Sequence, residues 1–113
     1  MKLGDKQRIF TRNIGLLIEF AYENGYQLTF GDAFRDPRLH GKVGVKMGYG
    51  HAKSNHKNRL AVDFNLFKDG KYLTKTEDHK ELGMYWEALN PDNRWGGHFD
   101  DGNHYSMEHQ GMR

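Results

Sequence analysis

A chain of 113 residues suffices for one compact domain and is too short for two, so residues 1–113 are expected to form a single unit. With 36% hydrophobic residues it is not composed like a disordered chain, and the absence of cysteine excludes a disulfide framework, a thiolate zinc site and a cysteine nucleophile. A net charge of +2 is too small to argue by itself for nucleic acid. The longest apolar stretch, Ile14 to Ala21, is interrupted by Gly15 and Glu19 and too short to span a bilayer. No apolar signal-peptide core follows Met1, which leads us to expect synthesis in the cytoplasm without stable membrane association.

The first element is helical. Phe10, Ile14, Leu17 and Ala21 recur at helical spacing, predicting a helix over 6–24 with Asp5 as N-cap and Gly25 as its stop. Residues 26–35 read as a strand that Asp36-Pro37 ends. The stretch 37–55 has no period, carries four glycines and four basic residues, and reads equally as a solvated basic loop or a substrate-covering one.

Residues 59–67 give the clearest strand. Leu60, Val62, Phe64 and Leu66 alternate onto one face, and Ala61, Asp63 and Asn65 onto the other. Lys68-Asp69-Gly70-Lys71 predicts a hairpin turn into a short strand at Tyr72-Leu73. A second helix is expected over 77–89, with Thr74 and Glu77 at capping-box spacing and Leu82, Tyr85, Trp86 and Leu89 as its apolar stripe. Asn90-Pro91 ends it. In the last segment Tyr105 and Met107 alternate with His104, Ser106 and Glu108. Hairpin-linked strands bracketed by helices argue for an α+β fold with a small antiparallel sheet.

Chemistry gathers on the polar faces. Turning Asp63 or His104 inward would break an apolar layer, so register assigns both to the same kind of surface. His56 lies at the mouth of the central strand, and Asp101 precedes His104 by three residues across Gly102. Without cysteine, histidine and acidic side chains are those left to hold a transition metal. Two histidines and one carboxylate would leave a fourth tetrahedral position for water, the arrangement of catalytic zinc. Taken singly, each histidine also reads as a surface or hydrogen-bonded residue, and spacing alone leaves both readings open.

The segment SNHKNRLAVDFNLF, Ser54 to Phe67, resembles the Ser-x-His-(x)6-Asp motif of zinc peptidoglycan peptidases. These are the VanY-like D-Ala-D-Ala carboxypeptidases and phage L-alanyl-D-glutamate endopeptidases, whose fold is related to hedgehog. RWGGHFDDGNHYSM, Arg94 to Met107, is similar to their closing Trp-Gly-Gly and Asp/Glu-x-x-His motif. The resemblance implies a hedgehog-like fold, with His56, Asp63 and His104 as zinc ligands and Asp101 as the catalytic carboxylate. It implies Arg35 as the arginine that contacts substrate near the metal, and Ser54 as a substrate or supporting contact. Arg59 departs from the pattern, standing where the broad family commonly has glycine. His98, where many relatives carry an acid, is read as a loop histidine and not as a ligand.

The resemblance further implies zinc-dependent hydrolysis of peptidoglycan stem peptides by a monomer, with a phage endolysin cleaving L-alanyl-D-glutamate as the first reading. Such an enzyme would need a holin-type partner to reach the wall. A D-Ala-D-Ala carboxypeptidase is the nearest alternative. Asn55, His56 and Asn58 among basic residues loosely resemble a His-Asn-His nuclease, although no nucleic-acid partner is expected. A non-catalytic module is the third class.

Overall fold

Helix α1, Leu3–Glu23, opens the computed structural model, which describes residues 1–31 and 57–111. It starts three residues before the expected point. Lys2 is its N-cap with no side-chain cap, while Asp5 lies in the first turn, where a carboxylate favours the helix dipole, and pairs with Arg8. Phe10, Leu17 and Ala21 are buried as the spacing predicts. Asn13 is buried with them.

Strand β1 spans Tyr26–Phe30; residues 32–35 of the expected strand lie outside the described residues. Strand β2, Ala61–Lys68, is the hub. One edge pairs antiparallel with β1, Thr29 opposite Asn65 and Phe30 opposite Phe64. The turn at Asp69-Gly70, φ 52° and 77°, has the two positive angles of a type I′ hairpin and returns the chain as β3, Lys71–Leu73. On the other edge β2 carries β3 at Leu66 to Lys68 and β5, His104–Met107, at Ala61 to Asp63.

The chain continues from β3 through a 3-10 turn, Thr76–His79, into α2, Lys80–Leu89. The cap differs from the expected Thr74–Glu77 pair: the Asp78 carboxylate accepts the Lys75 backbone N–H over 3.1 Å. Strand β4, Asn93–Trp95, pairs with β5 and has no counterpart in the sequence reading. Three residues are too few to show a period.

The result is an α+β architecture, a small antiparallel sheet ordered β1-β2-β5-β4 with helices packed on it. Val62, Phe64 and Leu66 from β2 and Tyr105 and Met107 from β5 meet Phe10, Leu17, Leu82 and Trp86 from the helices in one core. The Trp86 ring stands edge-on to both Phe10 and Tyr105. Each such side chain, fully buried, contributes on the order of 2 kcal/mol. The alternate residues of β2 and β5 are thereby turned to the opposite face. No helix among the described residues is long and apolar enough to cross a membrane.

Candidate metal centre and its supporting loop

Alternation in two neighbouring strands delivers the central pair. Asp63 and His104 are direct cross-strand partners in the β2–β5 register, and His104 Nδ1 lies 3.1 Å from Asp63 Oδ1. Both side chains are largely shielded from solvent, which strengthens their interaction relative to a surface pair. Gly31 extends β1 beside them, its N–H donating to the Asp63 carbonyl over 2.7 Å. A β-carbon at Gly31 would lie 3.3 Å from the Asp63 β-carbon, so its absence leaves room next to the carboxylate.

The 3.1 Å separation is shorter than the roughly 4 Å sum of one Zn–N and one Zn–O bond, so a single ion can touch both atoms. One imidazole and one carboxylate suit zinc in chemistry as well. Among the described residues no three histidine, cysteine or acidic side chains converge on one point. His56, the third ligand that the resemblance implies, lies outside the described residues, as do Ser54 and Arg35.

Asp101 sits at the entrance to β5 with an exposed side chain. Its position is set by backbone bonds: its N–H donates to Gly96 over 2.9 Å, and its carbonyl accepts the His104 N–H over 3.1 Å. The next residue is held from two sides. Gly102 N–H donates to Thr76 Oγ1 over 3.2 Å, and the Gly102 carbonyl accepts Trp95 Nε1–H over 2.7 Å. Trp95 is itself enclosed, since β-carbons at Gly83 and Gly97 would fall 2.1 and 2.2 Å from its ring. The Trp-Gly-Gly run thus has a mechanical reason: only glycine lets α2 and the following 3-10 turn, Gly96–Phe99, close over the indole.

Further supporting residues escaped the sequence reading. The Glu87 carboxylate accepts the Trp95 backbone N–H over 3.1 Å and contacts His98 Nε2 at 3.0 Å, anchoring the 3-10 turn to α2. His79 Nδ1 lies 2.8 Å from the buried Tyr105 hydroxyl, immediately beside His104 in sequence. Burial lowers the His79 pKa to about 4, against a weaker opposing effect of Asp78, and raises that of Tyr105. His79 is therefore a neutral hydrogen-bonding group near pH 7. Thr76 and His79 fall three apart in a Thr-Glu-Asp-His run, but their partners are 26 residues away, which no local pattern reveals.

Arg59, just before β2, has φ 57°. The left-handed conformation explains why glycine suits this position, and the arginine adopts it nonetheless.

No family model matches the sequence, and no curated protein matches it. Among solved structures, the fold is similar to that of the Serratia marcescens L-Ala D-Glu endopeptidase ChiX, with a TM-score of 0.68 at 15% identity. The similarity covers 88% of this chain and 77% of that one. What the two share is the fold: an antiparallel sheet with packed helices, here presenting Asp63 and His104 side by side.

Proposed function

We propose that the chain is a zinc-dependent peptidoglycan peptidase, one catalytic domain over residues 1–113, acting on the bacterial stem peptide. The observation that carries this reading is the 3.1 Å approach of His104 Nδ1 to Asp63 Oδ1, with Asp101 tied to the same strand entrance. The fold likeness to an L-Ala D-Glu endopeptidase supports the L-alanyl-D-glutamate bond as the one cut.

Asp63 and His104, joined by His56, would hold the ion. When bound, zinc lowers the pKa of a coordinated water toward 7 and polarises the scissile carbonyl. The Asp101 carboxylate takes the proton of the attacking water and returns it to the departing amide nitrogen. Arg35 keeps its charge at any working pH and so suits the oxyanion of the tetrahedral intermediate. Ser54 would orient the substrate. As a phage endolysin the enzyme would be made in the host cytoplasm and reach the wall with a holin-type partner.

The test is mass spectrometry of purified sacculi digested with dialysed protein, with and without added zinc. New N-terminal glutamate only in the zinc-loaded sample is expected. Released D-alanine instead would make the enzyme a carboxypeptidase, and an unchanged spectrum would reject the peptidase reading.

A further inference from the structure

Strands β3 and β5 attach to the same edge of β2 but leave a gap between them. Pairing with β5 ends at Asp63, after which the Phe64 N–H donates to the Asn103 carbonyl over 2.9 Å, and pairing with β3 begins at Leu66, so the two neighbours of β2 part at Phe64 and Asn65. A cleft of ≈ 180 Å³ occupies this fork. One wall is the loop from Asp100 to Asn103, the other the segment from Thr74 to Thr76, with Asn65 and Tyr72 beside them. The volume matches about six water molecules and is below the roughly 300–1,000 Å³ of pockets that engulf a whole ligand. It suits one residue of a longer substrate.

We propose that this cleft binds the residue on the leaving-amine side of the scissile bond and selects one bearing a free carboxylate, with Lys75 as its counter-charge. The inference rests on the peptidase reading above. Asp101 lines the cleft, and the group that protonates a leaving amine must lie on that amine's side of the bond. The loop wall carries two carboxylates, Asp100 and Asp101, which suit the amine end of the departing residue. Lys75 is the one cation among the described residues that line the cleft; it is exposed and forms no salt bridge with a described residue. Neutral hydrogen bonding is already oriented: Asn65 Nδ2 donates to Thr29 Oγ1 over 3.2 Å, and Asn65 Oδ1 accepts the Tyr72 hydroxyl over 3.3 Å. Both candidate bonds release a residue of the required kind. D-glutamate linked through its γ-carboxyl keeps a free α-carboxylate, and a terminal D-alanine carries its own.

The experiment compares zinc-loaded wild type, Lys75→Gln and Lys75→Arg on three peptides: L-Ala-γ-D-Glu-L-Lys, its isoglutamine amide, and a pentapeptide ending in D-Ala-D-Ala. Wild type should prefer the acid to the amide by about fivefold to tenfold in kcat/KM, carried by KM. Lys75→Gln should bring that ratio close to one, and Lys75→Arg should restore it. A Lys75-dependent KM seen only with the pentapeptide would assign the carboxylate to terminal D-alanine and support the same pocket. Cleavage with an acid-to-amide ratio that Lys75→Gln does not change, and no such KM effect on the pentapeptide, would overturn the pocket while leaving the peptidase intact. A titration of γ-D-glutamyl-L-lysine followed by NMR separates the two ideas. If no peptide is cut but the Asn65 and Asn103 side-chain amides still shift in a Lys75-dependent way, the pocket stands and the peptidase falls. No shift and no cleavage overturns both.

Discussion

The Trp95 indole donates its N–H to the Gly102 carbonyl over 2.7 Å, so a ring buried in the core also holds the loop that carries Asp101. Trp95→Phe keeps most of the packing but leaves that carbonyl without its donor. A loss of about 1–3 kcal/mol in urea unfolding is expected, with turnover falling alongside. Unchanged stability would mean the bond contributes nothing.

Gly96→Ala tests the spacing inside the site. Its β-carbon would lie 2.3 Å from the Asp101 carbonyl oxygen and 2.8 Å from the His104 β-carbon, and neither is the end of a flexible side chain. Overpacking of this kind costs about 1–3 kcal/mol. With His104 as the proposed ligand, zinc affinity measured by competition with a chelator should also fall, because the added methyl displaces the His104 β-carbon. Affinity equal to wild type would place the metal elsewhere.

Asp101 and His104 should separate by phenotype. Asp101→Asn is expected to keep the fold and bound zinc while lowering kcat by about 100- to 10,000-fold, the range typical for general acid–base groups. His104→Ala should lose the metal, as read by elemental analysis after dialysis. The reverse pattern would exchange the proposed roles.

Arg59 sits at φ 57°, where a residue with a β-carbon is strained. Arg59→Gly should stabilise the protein by about 1 kcal/mol, partly offset by the greater entropy of glycine in the unfolded chain. Thermal unfolding checks this, and a lower Tm would show that the arginine side chain compensates for its backbone.

His79 links stability to pH. Its folded pKa of about 4 lies below the ordinary 6.5, so between those values the unfolded chain binds the extra proton. Stability is therefore intact above about pH 6.5, declines as pH falls towards 4, and loses nothing more from this group below that. The decline is on the order of 3 kcal/mol. Urea midpoints from pH 7 to 4 should fall more steeply for wild type than for His79→Gln, and parallel curves would remove His79 as the cause.

Much of the site's placement was legible because it depends on period-two alternation. Leu60, Val62, Phe64 and Leu66 are all buried, which turns Asp63 to the other face; Tyr105 and Met107 do the same for His104. The α+β class followed from the same patterns. The supports were not legible, since Thr76, His79 and Glu87 act on partners distant in the chain and show no local signature. Strand β4 was missed because its three residues acquire their pairing only from β5. The second helix starts late because residues 76–79 tighten into a 3-10 turn that Asp78 caps. His56, Ser54 and Arg35 stand as the resemblance implies them, outside the described residues.

Attaching β3 and β5 to one edge of β2 has a kinetic consequence. The β2–β3 hairpin closes over two turn residues, whereas Asp63 must find a partner 41 positions later in the chain. Short-range closure is favoured in folding, so the hairpin forms early and the far strand docks late. The surface that carries Asp63 and His104 is then the final part of the molecule to mature, and the first to come apart when the C-terminal strand detaches. Pulse-labelling hydrogen exchange during refolding should show the amides of β3 protected before those of β5. Simultaneous protection would show that sheet and site assemble in one step.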